Sequence, residues 1–527
     1  MNIHHTRRCR SATLTAAALS LLAASLLAPQ AHAATIRVDN QRCTLQDAVV
    51  AANEDRPQGG CPAGSGDDII RIAPGSDIVI DASRVPLDEG GTGRSALRVT
   101  HGRLTVIGNS STIRRLPDDP AFRAFALSGS AVVTLDGITL SGFLTLDGGA
   151  AIRVDDDASL TLRRSSLRNN LSFPFGSGGG LLLSSHGAQR IDASSISENV
   201  GNDSGGGIAL LGLGKARLGD VTIVNSTLSG NQANVYGGAA ISADAPVRLT
   251  VVSSTITGNL GFGGTSAGAI AMGAGELRLQ QSIVAGNDNP RRIEVFLADT
   301  RTLSNDNVLG SADPERTCVN SFIGLAFGAN DRLTDCTGSS PLPLRAIIDS
   351  VLRDNPGAAP THRLVPGSPA IDRIAQGSCL RLLDARGITR PVDGDNDGVA
   401  ACDAGAHEFN EPFARFNPSR VDFGTVAPDV FSTRPVELSN IGASPLTIRG
   451  LGIRPQCCTE TFTVEDNSCP TVLAAGARCT LLLRFEPVNA GTFTGRLVLN
   501  SNDPRGLRGV ALSGSQAPVS AARATAH

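Results

Sequence analysis

The chain has no tryptophan, a single tyrosine and, at Lys215, a single lysine against 45 arginines. Aromatic residues make up 3% of the 527, which argues against an open sugar cleft built from stacking platforms. The formal net charge of -3 leaves no basic footprint for nucleic acid. Beyond residue 33 no apolar run reaches the roughly 18 residues that a membrane-spanning helix needs. The cysteines lack the CxxC spacing and histidine partners of a zinc site. What the chain has in quantity is glycine, 59 residues, set among Ser, Thr and Asn. Those residue types suit tight turns stacked on one another.

The turns repeat. Ser165-Ser166-Leu167-Arg168-Asn169-Asn170 is followed by Ser194–Asn199, Asn225–Asn231, Ser254–Asn259 and Ser282–Asn287, and the spacings between terminal asparagines are 29, 32, 28 and 28 residues. Glycine clusters with short apolar runs follow, as in Gly178-Gly179-Gly180-Leu181 and Gly205-Gly206-Gly207-Ile208. A fixed period of this length marks a solenoid, and the short β-branched or leucine runs lack any 3.6-residue stripe. Each period reads as one coil of a right-handed parallel β-helix. Leu160, Leu162 and Leu167 point inward onto equivalent positions ~4.8 Å away. Asn170, Asn199, Asn231, Asn259 and Asn287 are expected to take the left-handed turn conformation and to bond to one another in a row.

Residues 1–33 read as an export signal, with Arg7, Arg8 and Arg10 before the apolar Ala16–Ala28 and a small-x-small site at Ala31-His32-Ala33. Ten of the eleven cysteines follow it, and an even number in an exported chain points to disulfides. The expected bridges are Cys43–Cys61, Cys318–Cys336, Cys379–Cys402 and Cys469–Cys479, with Cys457 and Cys458 unassigned. The expected division is 34–66 cap, 67–290 β-helix, 291–410 end region, 411–515 sandwich and 516–527 tail.

The segment Cys43-Thr44-Leu45-Gln46-Asp47-Ala48 begins the chain's best helix, with Thr44 as cap and Asp47 three residues on. It resembles the CSLREA motif of exported bacterial β-helix proteins, from which Thr44, Gln46 and Asp47 depart conservatively. The helix's apolar face, Leu45, Ala48, Val49 and Ala52, suits a cover for the open end of a solenoid. Leu364–Asp372, Asp384–Pro391 and Cys402–Glu408 together resemble the choice-of-anchor Q domain, which is typically fused to pectin-lyase-like β-helices; His407 stands where that family has an aromatic residue. Short strands from Val421 to Ser501 fit an immunoglobulin-like sandwich and resemble choice-of-anchor D or hydin-like domains.

Asp393-Gly394-Asp395-Asn396-Asp397-Gly398 places carboxylates at positions 1, 3 and 5 with glycine at 6, the pattern of a calcium loop. Ala404 stands at position 12, where a bidentate Glu is usual, and Asp403 substitutes for it only if the chain folds back. No other cofactor is implied. A catalytic β-helix would draw on Asp155, Asp156, Asp157, Asp192, Asp203 and Asp220, with Arg163, Arg164, Arg190 and Lys215 as bases. These do not recur at one repeat position. The expectation is therefore an exported, non-catalytic, surface-associated or secreted scaffold or adhesion protein that meets cell-surface or extracellular polysaccharide or another surface component. The contrasting expectation is a polysaccharide lyase or glycoside hydrolase acting on acidic glycans, as the pectin-lyase-like resemblance implies.

Overall fold

The computed structural model describes residues 33–86, 93–212, 217–263, 267–310, 321–334, 342–455 and 461–518. The protein is all-β, a parallel β-solenoid followed by an immunoglobulin-like sandwich, with one α-helix, α1 (Leu45–Glu54), among the described residues. Among the described residues no helix is long and apolar enough to cross a membrane. Cys43–Cys61, Cys379–Cys402 and Cys469–Cys479 are bridged. Residues 1–32 and Cys318, Cys336, Cys457 and Cys458 lie outside the described residues.

One coil shows the plan. Leu181–Ser185 lies on a first face, Gln189–Asp192 on a second, Ser195–Ser197 on a third and Val200–Gly201 on a short fourth. Each strand pairs in parallel with its counterparts one coil before and after. Corners of one residue bracket the third face. Ala193 and Glu198 adopt positive φ there, as do Asn225 and Gly230, then Ser253 and Gly258, then Gln281 and Gly286. The left-handed residue is thus the one before each repeat asparagine, which corrects the expectation that the asparagine itself takes that conformation. At the glycine clusters a side chain has no room: a Cβ on Gly205 (φ +58) would sit 2.3 Å from the carbonyl oxygen of Ile208.

Inward positions stack as the alternation requires. Leu140, Leu167, Ile196, Leu228, Ile256, Val284 and Leu309 form one buried row down the third face, and Leu160 and Leu162 belong to the same core. The solenoid is longer at both ends than 67–290. Thr35–Val38 already pairs in parallel with Asp67–Ile72, and the ladders run past Pro290 through Val295–Asn305 and Val308–Gly310 to Arg332–Leu333. α1 closes the first end: Leu45, Ala48, Val49 and Ala51 are buried against Ile36, Ile70 and Leu97. The Thr44 hydroxyl accepts from the Asp47 N–H and donates to its carboxylate, which also holds Arg84.

After the last coil the chain turns back. Residues 342–410 run along the third face as a strap, packing Ile347, Ile348, Leu364 and Ala404 on outward-facing Ile283, Ala285 and Val308. The sandwich follows, with sheets Ala414–Asn417, Ser432–Asn440, Arg478–Phe485, Phe462–Asn467 and Arg420–Val426, Arg508–Gln516, Gly491–Ser501, Leu446–Pro455, Val472–Leu473. Phe423, Phe462, Phe485 and Phe493 fill its core.

Candidate metal centre and the acids of the solenoid

Two rows of polar side chains run inside the solenoid. The backbone N–H groups of Asn170, Asn199, Asn231 and Asn259 each donate to the Oδ1 of the next asparagine at 2.9–3.1 Å. The Nδ2 groups donate to the same oxygens at 2.7–3.0 Å. The row ends at buried Glu294, whose carboxylate takes both bonds from Asn287, at 3.0 and 2.7 Å. The second row was hidden in the quoted repeats. Ser165, Ser194, Ser226 and Ser254 each donate an N–H to the next serine Oγ at 3.1–3.2 Å. It ends through Ser282 on Asn307 and then on Asp331. Buried amides and hydroxyls so arranged give the corner backbone N–H groups their acceptors.

Three of the six solenoid acids offered for catalysis are engaged by arginine. Asp155 pairs with Arg153 at 2.7 Å, Asp192 with Arg190 at 2.6 Å, and Asp220 with Arg217 and Arg248 at 2.7 and 2.9 Å. Arg163 and Arg164 both grip Asp136. Burial pushes Asp136 up, but the two guanidiniums outweigh it and hold the carboxyl below its usual range. Asp156 has positive φ and accepts the Gly129 N–H, and exposed Asp157 faces His186. Asp203 lies in a loop, and Lys215 is outside the described residues. No two of these acids face each other across a cleft.

The strap carries charges of its own. Asp384, Arg386, Glu411 and His407 form one buried set, and Arg390 bonds Glu408 and the carbonyls of Asp403 and Gly405. Burial works against a charge on Glu411, yet His407, Arg386 and Arg363 bring it down to about 2. Burial also pushes the imidazoles of His362 and His407 below their usual range. His407 Nε2–H donates to Glu411 at 2.8 Å, so Nδ1 accepts from Thr361, 3.1 Å away. Hydroxyl, imidazole and carboxylate stand in line as in a nucleophile–base–acid set. Thr361 is buried, so no substrate reaches it, and the set holds the strap together.

The acidic loop is different. Asp393 and Asp395 come together with Asp372, their ligand oxygens all within 4.8 Å of one another. Asp397 does not join them; its Oδ1 accepts the Val399 N–H at 2.7 Å. Nor does Asp403, whose buried carboxylate accepts the N–H groups of Asp372 and Phe409. Asp372 Oδ2 accepts from Gly394 and Asp395 at 2.8 and 2.9 Å, and burial pushes its carboxyl up to about 6. Asp393 Oδ1 is buried with no hydrogen-bond partner. Gly394 is obligatory, since a Cβ there would lie 2.6 Å from Ile371 Cγ2. Three carboxylates without an arginine among them, one oxygen unmet, fit a hard divalent cation that completes its shell with carbonyls and water. Asp372 lies 21 residues before the motif, so no local spacing rule points to it.

Comparison with known proteins identifies one module. Residues 412–512 match the family model of the HYDIN/CFA65/VesB-like Ig-like domain. Among solved structures, the secreted serine protease VesC from Vibrio cholerae is similar at 20% identity, covering 20% of this chain and 23% of that one, with a TM-score of 0.18. The PapD-like domain 7 of human CEP192 is 12% identical over 20% of this chain and 86% of that one, TM-score 0.18. The Vibrio cholerae VesB protease is 15% identical over 20% of this chain and 32% of that one, TM-score 0.16. No curated protein matches the sequence.

Proposed function

We propose that the protein is an exported, non-catalytic scaffold of the bacterial surface or its surroundings, whose solenoid meets extracellular polysaccharide. The observation that carries this reading is the pairing of the solenoid's acids. Asp136, Asp155, Asp192 and Asp220 are each held by arginine, and the third face, which would otherwise be an open strand surface, lies under the strap. Three disulfides among the described residues support export. In this reading α1 is a CSLREA-type cap and 291–410 a choice-of-anchor Q-like end region.

Asp372, Asp393 and Asp395 would hold a calcium ion with a structural task. Asn396, at the tip of the same loop, donates to the Gly442 carbonyl of the sandwich at 3.3 Å, so an ion there would stiffen the joint between strap and sandwich. The test of the scaffold reading is direct. Purified protein is incubated with pectate and alginate, and unsaturated products and new reducing ends are measured. No release is expected; degradation abolished by Asp155→Ala or Arg190→Ala would establish the lyase or hydrolase reading in its place.

A further inference from the structure

Four exposed aromatic residues of the solenoid gather along one edge, with Leu146 beside them. Leu146, Phe173 and Phe262 each directly follow a strand of the fourth face, in different coils, and Phe175 and Tyr236 stand two residues further on. The loops are tied one to the next by backbone bonds, Phe173 N–H to Thr145, Asn202 N–H to Ser172 and Phe262 N–H to Ala233. Phe175 is 78% exposed and Tyr236, the chain's only tyrosine, 61%. Exposed rings held on a rigid edge mark a contact surface rather than leftover core.

Beside that edge runs a groove of about 600 Å³ on the outside of the first face. Tyr236 forms one wall and Phe296 and Met272 lie further along it. Ser242 and the carboxylates of Asp203 and Asp244 supply its polar groups. Among the described residues, no lysine, arginine or histidine lines it. Unlike Asp155, Asp192 and Asp220, neither Asp203 nor Asp244 is in an ion pair with a described residue. Asp244 accepts the Gly212 N–H at 3.1 Å, and Asp203 accepts from Asn202 at 3.2 Å. Each carboxylate therefore keeps acceptor capacity facing the groove.

We infer that this groove, on the outer surface of the first face, binds a segment of an uncharged glycan chain. A sugar ring offers an apolar C–H face and an edge of hydroxyl donors. Although the low aromatic content argues against a cleft of many stacking platforms, the two rings of Tyr236 and Phe296 match the first, and Asp203, Asp244 and Ser242 accept from the second. The two carboxylates, with no cation among the described lining residues, disfavour the acidic polymers on which pectin-lyase-like enzymes act. The inference rests on the reading of the protein as an exported scaffold and names what that scaffold meets.

The experiment is calorimetric titration of the full mature chain with neutral hexasaccharides of β-1,4-glucan, β-1,3-glucan, xylan and mannan, and with hexagalacturonate and a glucosamine hexamer. At least one neutral oligomer binds and hexagalacturonate does not. Tyr236→Ala weakens that binding at least about tenfold, whereas Tyr236→Phe stays within about threefold. Asp203→Asn keeps the fold by circular dichroism and weakens binding as well. Binding of none of the neutral oligomers, tighter binding of either charged one, or full affinity in Tyr236→Ala overturns the inference. Those results leave the scaffold reading standing, because that reading falls only if a glycan is cleaved.

Discussion

Between residues 138 and 310 the solenoid meets its buried polar backbone with uncharged side chains in rows, while the strap that lies against it uses charges. In the rows each asparagine or serine bonds its own counterpart one coil away, so one choice of residue, repeated, satisfies every corner. The strap has no counterpart of itself. Its irregular turns expose carbonyls and N–H groups singly, and Arg390, Asp384, Asp403 and Glu408 each reach to particular ones. The difference teaches where each region is vulnerable. A repeat loses a rung and keeps its neighbours, whereas a one-off network that loses a charge leaves its partner buried and alone.

The largest expected effect is therefore in the strap. Arg390→Met leaves Glu408 and two carbonyls without their donor and should cost about 3–5 kcal/mol, read by urea unfolding with limited proteolysis between residues 360 and 410. Loss no greater than at an exposed arginine would remove the contrast. Next, Asn231→Leu deprives the Asn199 N–H, the Ile196 carbonyl and Asn259 of their partner, for about 1–3 kcal/mol, with exchange quickened in the adjoining coils only.

The two regions should also differ in pH response. His362 and His407 titrate lower in the folded protein than the ordinary 6.5, so the unfolded chain binds the proton first as pH falls. Strap stability should drop through pH 6.5 by about 1 kcal/mol per unit per histidine, while the rows of amides and hydroxyls contribute no slope. Hydrogen exchange at pH 7.5 and 5.5, with His407→Gln flattening the strap's response, measures it. Calcium titration of the full chain should give a heat that Asp372→Ala and Asp395→Ala abolish and Asp397→Ala retains. The smallest effect is expected on the solenoid's exterior, where Asp192→Ala should change stability by less than about 1 kcal/mol.

The fold was legible because repetition amplifies a weak local signal. An Asn every 28 to 32 residues is improbable unless those residues meet. The serine row was present in the same fragments but read as turn composition, since serine is ordinary in any turn. The last coils were missed because other residues fill the row positions there: Glu294 and Asn307 replace the asparagine and serine by reach rather than by spacing. The first strand, Thr35–Val38, stands before the helix and has no repeat signature of its own. In the acidic loop the spacing brought Asp393 and Asp395 forward, yet it named Asp397 in place of Asp372, because a tertiary contact leaves no trace in a local motif.

Both rows of the solenoid point one way. Every backbone N–H of the two rows donates toward the C-terminal side, and each row closes on a carboxylate, Glu294 or Asp331. A coil is thus complete only when the following one arrives with an acceptor. In a chain that crosses a membrane amino end first, assembly then proceeds as a queue in which each member waits on its successor. A product truncated anywhere before Glu294 keeps an open donor at its last corner, and that end remains adhesive until another strand, its own or a neighbour's, covers it.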